Sequence, residues 1–234
     1  MPGATGYPAP MIAAEPISIA IAGMTPVAGL WQVPPAPHAA LVLAHGAGAG
    51  MTHPSMAAIA DGLAERGVAT LRFQFPFMER SAKRPDPPAV AHAAVRAAVG
   101  EAARRAAGLS LFAGGRSFGG RMTSQAQAIA PLGAVRGLVF FAFPLHPAGK
   151  PATDRATHLD AVALPMLFLQ GMRDALAEPD LLRPVVAGLG PRATLKLVAG
   201  ADHAFHVPAK SGRRDADVLA EFLDAAAGFM AARS

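Results

Sequence analysis

The order of segments in this chain predicts an α/β fold, with a mostly parallel sheet and helices on both of its faces. Three observations carry that prediction. Short apolar runs alternate with longer helical stretches, the pattern of a parallel sheet with crossover helices. The central runs, such as Ala39 to Ala44, Gly137 to Phe143 and Pro165 to Gln170, are apolar at almost every position, as strands covered on both faces must be. Glycine and polar residues cluster directly after the runs, at the strand ends where sites of open α/β sheets gather.

Residues 1–14 are rich in Pro and Gly and read as a loose N-terminal arm, followed by one domain over residues 15–234. Ile17, Ile19 and Ile21 alternate with small or polar residues, the strand period. Gly23 and Met24 turn the chain into a second strand, Val27 to Val33, which Pro34 and Pro35 end. Ala39 to Ala44 is the third strand. Residues 52–66 read as a helix, with Pro54 in its first turn and Gly67 after its end. Val68 to Phe73 is a strand, and Phe75-Pro76-Phe77 leaves it as a loop, either walling a pocket or anchoring the loop itself. Asp86 ahead of Pro87 can cap a helix running to Ala107, closed by Gly108. Leu109 to Ala113 is a strand, and a helix follows through Ile129. After the strand at 137–143 comes a loop of about 20 residues, 144–163, long enough to be functional and too short for a separate cap domain. A strand at 165–170, a helix at 179–189, a strand at 193–198 and an amphipathic helix at 210–233 complete the chain.

Composition sets the bounds. The chain has 234 residues, 52% hydrophobic and 16% charged, which suits one large ordered domain. It has no cysteine, so disulfides, a thiol nucleophile and cysteine metal sites are excluded. Net charge is +5, but the basic residues are scattered in pairs, as at Lys83-Arg84 and Arg213-Arg214, with a single Tyr and a single Trp in the whole chain. That predicts a solvated basic surface and no nucleic-acid partner. The first ten residues lack a basic start and an apolar core, and no apolar run approaches ~18 residues, so a cytoplasmic protein without membrane association is expected.

The chemistry centres on Gly115-Arg116-Ser117-Phe118-Gly119. A strand runs into it and a helix runs out, the arrangement that lifts a serine hydroxyl above the sheet end, beside the positive end of a helix. A serine hydroxyl needs a base, and the base needs an orienting acid. Asp174 is the favoured acid, leaving its strand by a short turn; Asp154, Asp160 and Asp180 are rivals. His203 is the favoured base, with His206 three residues on as its chief rival. Asp202 is expected to be structural. The pair His203 and His206 has no nearby third ligand, so no metal is expected. His45-Gly46-Ala47-Gly48-Ala49-Gly50 lacks the Lys and Ser/Thr ending of a phosphate-binding loop and the spacing of a dinucleotide site. It reads instead as an oxyanion loop, with the Ala47 N–H aimed at the site and His45 as a structural anchor.

These motifs, with Arg72-Phe73-Gln74-Phe75-Pro76, Gly119-Gly120-Arg121-Met122, Gln170-Gly171-Met172-Arg173-Asp174 and Gly200-Ala201-Asp202-His203, resemble the α/β-hydrolase superfamily, and most of all its small cap-less group related to dienelactone hydrolase. The order Ser117, Asp174, His203 is that of the superfamily. The resemblance runs from about residue 15 to the end. It implies the α/β-hydrolase fold, Ser117 as nucleophile, His203 as base, Asp174 as acid, and the backbone N–H groups of Ala47 and Phe118 as oxyanion hole. It implies a serine hydrolase that cleaves an ester of a small carboxylic acid without metal or organic cofactor. Dienelactone hydrolase itself uses a cysteine nucleophile, which this chain lacks, so its substrate is not implied. The alternatives are a non-catalytic interaction module on the same fold, and an acyltransferase or thioesterase.

Overall fold

The computed structural model describes residues 12–234; most of the N-terminal arm expected over residues 1–14 lies outside the described residues. Eight strands form one sheet: β1 Glu15–Ile19, β2 Val27–Gln32, β3 Ala39–Ala44, β4 Val68–Phe73, β5 Ser110–Arg116, β6 Val135–Phe141, β7 Met166–Gly171 and β8 Ala193–Val198. Their order across the sheet is β1-β2-β4-β3-β5-β6-β7-β8. Strand β2 runs antiparallel to both β1 and β4; all other neighbours are parallel.

Even where a strand is wholly apolar, its period of two divides it between two cores. In β3, Ala40, Val42 and Ala44 face one core, and Ala39, Leu41 and Leu43 face the other. The first core is completed by helices α3 (Pro88–Arg105), α4 (Phe118–Ile129) and α5 (Pro179–Gly188); the second by α1 (Pro54–Ala64) and α6 (Asp215–Ala231). Helix α2 is the short turn Pro76–Glu79. The chain crosses to opposite faces on either side of β3: α1 leads to its neighbour β4, and α3 leads back to its other neighbour β5. That switch leaves a crevice at the carboxyl end of β3. The ends of β3, β5, β7 and β8 lie on the same edge, because Ala44 pairs with Gly115 and Gly171 pairs with Val198 in parallel register.

Several element ends differ from expectation for physical reasons. Asp86 does not cap α3. The residue at the helix boundary is Pro87, one position later, and the Asp86 carboxylate pairs with the Arg80 guanidinium at 2.5 Å. The C-terminal helix begins at Asp215, not 210, because Gly212 takes a left-handed φ of 69° after a 3-10 turn, and the Asp217 carboxylate then accepts the Arg214 N–H at 3.1 Å and its guanidinium at 2.7 Å, fixing the helix start. The segment Phe75 to Phe77 enters α2 with both phenylalanines buried, so it anchors the loop rather than walling a pocket. The connection 144–163 contains a 3-10 helix, Asp154–Ala161, that packs on α4 through Ala156 and Leu159.

Candidate active site

Ser117 sits between β5 and α4 with φ 50° and ψ −116°, a conformation that costs a non-glycine residue on the order of 1–3 kcal/mol. The neighbouring elements hold it there. Its N–H donates to the Phe141 carbonyl of β6 at 3.0 Å, and its carbonyl accepts from the Arg121 N–H at 3.1 Å. The turn is tight enough that a Cβ on Gly119 would lie on the carbonyl oxygens of Ala44 and His45. Gly119→Ala is therefore expected to destabilise the fold by roughly 3 kcal/mol, as forced overpacking does, read as a lower denaturant midpoint.

Above Ser117 stands His203, in the loop after β8. Its Nε2 is 2.9 Å from the Ser117 Oγ, and its Nδ1 is 2.7 Å from Oδ2 of Asp174, three residues past the end of β7. Asp174 is fully buried. Three donors meet its carboxylate: His203 Nδ1, Gln170 Nε2 and the Leu176 N–H, the last at 2.8 Å to Oδ1. A buried carboxylate needs such partners to remain charged. The geometry fixes the proton on Nδ1 of His203 and leaves Nε2 free to accept from the serine.

The rivals lie elsewhere. The His206 side chain is 62% exposed and its Nδ1 turns to Asp215 at 2.9 Å, which holds the imidazole above the usual histidine range. The two histidines face different carboxylates and do not converge. Asp202 accepts the N–H groups of Ala204 and His206 through Oδ1 and so folds the loop that presents His203. Asp154 and Asp160 belong to the 3-10 helix, and Asp180 lies in the first turn of α5.

The loop after β3 closes the opposite side. Gly46 backs onto Ser117: a Cβ there would be 3.9 Å from the Ser117 Cβ. The N–H groups of Ala47 and Phe118 have no acceptor among the described residues, and both residues line a cavity that includes Ser117. His45 anchors this loop from within. It is fully buried; Nε2 accepts the Phe75 N–H at 3.0 Å, and Nδ1 donates to the Gly46 carbonyl at 2.7 Å. Phe75 meets the ring edge-on at 4.9 Å. Burial pushes its pKa down to about 4 from 6.5. Because the folded value is depressed, the neutral ring's contribution is complete above pH 6.5 and is lost as pH falls toward 4, since the unfolded chain then binds the extra proton. The shift corresponds to about 3 kcal/mol at most. Chemical denaturation across that window is expected to show the steepest loss in the parent chain, and a shallower slope in His45→Gln.

Two further groups have no signature in the sequence. Arg116, inside the serine turn, donates to the Ser55 Oγ at 2.9 Å and the His203 carbonyl at 3.1 Å, tying α1 to the histidine loop. Gln170, at the end of β7, holds Asp174. Both lie in motifs read for their neighbours, where the pattern names a residue type but not a partner.

An eight-stranded sheet in this order, without a separate cap domain and with a serine on the strand–helix turn after a central strand, is α/β-hydrolase architecture. The chain belongs to the alpha/beta hydrolase domain family, whose profile matches residues 37–231. Among solved structures it is similar to a dienelactone hydrolase from Anabaena variabilis, with 18% identity and a TM-score of 0.74 over 93% of this chain and 96% of that one. It is similar also to an α/β serine hydrolase without lid from Xanthomonas campestris, with 20% identity and a TM-score of 0.73 over 93% and 95% of the two chains. An esterase domain from Rhodothermus marinus matches with 13% identity and a TM-score of 0.70 over 93% and 98%. At these identities the likeness is one of fold. Among the described residues no helix is long and apolar enough to cross a membrane.

Proposed function

We propose that this chain is a serine hydrolase that cleaves carboxylic esters through an acyl-enzyme. The observation that carries the reading is the unbroken hydrogen-bonded line from the Ser117 Oγ through His203 to the buried Asp174. In this reading His203 Nε2 takes the hydroxyl proton as Ser117 attacks the carbonyl carbon. Asp174 holds the imidazole in its tautomer and stabilises the imidazolium. The N–H groups of Ala47 and Phe118, with the N-terminal end of α4, receive the oxyanion. His203 then returns the proton to the leaving alkoxide, and water repeats the sequence to release the acid. No metal or organic cofactor enters any step, and a single domain over residues 15–234 carries all the groups. The names of the Anabaena and Xanthomonas proteins and of the Rhodothermus esterase domain agree with this reaction type. The open cavities on both sides of Ser117 favour catalysis over a purely scaffolding role. The test is covalent labelling with a fluorophosphonate, which reacts with an activated serine: the label is expected on Ser117 alone, and labelling that persists in Ser117→Ala would overturn the reading.

A further inference from the structure

Two cavities open on Ser117. The smaller, about 190 Å³, lies between the His203 side and the loop at residues 46–49. The larger, about 400 Å³, runs the other way, from Ala47, Ser117 and Phe118 outward to Arg121 and Arg155. Arg121 lies on α4, four residues after Ser117, and both residues line this cavity. Arg155 comes from the 3-10 helix after β6.

Neither arginine has an ion-pair partner among the described residues. Residues 1–11 contain no acidic side chain that could supply one. The Nε of Arg121 is buried and unbonded, and its guanidinium rests 5.9 Å over the Phe118 ring. Burial lowers the Arg121 pKa, and the Arg155 charge adds to the lowering. The histidines nearby do not compensate. His158 is held at about 4 by burial and by Arg121, and its Nε2 meets the Ser124 Oγ at 2.7 Å. His92 is also lowered by burial and by neighbouring arginines. One carboxylate, Asp86, reaches this cavity; Arg80 engages its Oδ1, and its Oδ2 is buried without a hydrogen-bond partner. Arg121 and Arg155 are adjacent and partly desolvated, and the single carboxylate beside them is shared with Arg80, so the excess positive charge is costly unless something anionic joins it. Their planar donor forks match a carboxylate.

The position of His203 decides which end of the substrate this anion belongs to. The leaving alkoxide must receive its proton from His203 Nε2, so the alcohol part departs through the smaller cleft and the acyl part extends into the larger cavity. We propose that Arg121 and Arg155 form a carboxylate subsite for the far end of the acyl chain, so that the preferred substrates are monoesters of short dicarboxylic acids. The inference rests on Ser117 being the nucleophile. The reaction balances as a hydrolysis. The Ser117 Oγ bonds to the ester carbon and the bond to the alkoxy oxygen breaks. The serine proton leaves with the alcohol, and water then releases the free dicarboxylate and restores the hydroxyl.

The experiment compares para-nitrophenyl hemiglutarate with para-nitrophenyl hexanoate, which match in length and differ in the terminal charge. At low ionic strength kcat/KM is expected to favour the hemiglutarate on the order of 10- to 100-fold, the range of one charge-assisted interaction. Added salt should narrow the preference. Arg121→Gln and Arg155→Gln should each move the ratio toward one, and Arg155→Glu should reverse it. Fluorophosphonate labelling of each variant reports that the serine site is still assembled. As a measurement apart from turnover, glutarate should bind the parent chain by calorimetry where butyrate does not, and Arg155→Gln should lose that binding. A parent ratio at or below one, or a preference that the arginine variants leave in place, overturns the subsite, while hexanoate hydrolysis with Ser117 labelling leaves the hydrolase reading standing. Absence of both labelling and hydrolysis overturns the two together.

Discussion

Ser117→Ala is expected to lower ester turnover by roughly 10⁴-fold or more, as removal of a triad nucleophile does elsewhere. The size of the effect follows from what is lost and what remains. The Oγ is the atom that would form the acyl bond, and its interaction is with His203 Nε2 at 2.9 Å. The N–H groups of Ala47 and Phe118 stay in place, so the residual rate that the proposed oxyanion hole would support is expected to persist. The fold should be almost unaffected. Alanine at φ 50° is strained as serine is, and the bonds that hold the turn, from the Ser117 N–H to Phe141 and from the Arg121 N–H to the Ser117 carbonyl, belong to the backbone. A kcat measured at saturating ester, paired with a denaturation curve within about 0.5 kcal/mol of the parent, separates lost chemistry from lost structure. Retention of more than a tenth of the parent kcat would mean that another group attacks the carbonyl.

Much of this arrangement is legible before any coordinates, for identifiable reasons. Continuous apolar runs give the central strands, because a strand buried on both faces has no polar position to obscure the signal. Gly115 and Gly119 mark the turn because carbonyls of the neighbouring β3 end leave no room for a Cβ. Local pattern also places Asp174 and His203 just after strands, on the edge that parallel register brings together. What it does not show is which side chain reaches across. Asp86 reads as a helix cap until Arg80, six residues back, takes its carboxylate. Gln170 and Arg116 act through partners 4 and 87 residues away, which no spacing rule links. The 3-10 helix Asp154–Ala161 is too short and irregular to carry a period, yet it brings Arg155 to the cavity beside Ser117. Left-handed Gly212, which delays α6, resembles any glycine near a helix end until its φ is known.

His203→Ala is expected to be nearly as damaging as Ser117→Ala, because triad members act as a unit, while His206→Ala should change kcat by less than about threefold. The two imidazoles lie three residues apart, and their surroundings separate them. The His203 side chain is 28% exposed and bridges Ser117 and Asp174; the His206 side chain is 62% exposed and paired with Asp215 at the surface. Losing His206 removes an exposed pair of the kind that contributes little. Its backbone bonds to Asp202 survive the substitution, so the loop that carries His203 keeps its shape. Asp174→Asn should lie between the two extremes and nearer the severe one. The amide can still accept from Leu176, but it can no longer stabilise an imidazolium, and it permits the wrong tautomer at Nδ1. The deciding measurement is kcat for the two histidine variants on one ester at saturation. A dead His206→Ala beside a working His203→Ala would require the base to be reassigned to the surface histidine, and the Ser117–His203 hydrogen bond to be a structural contact only.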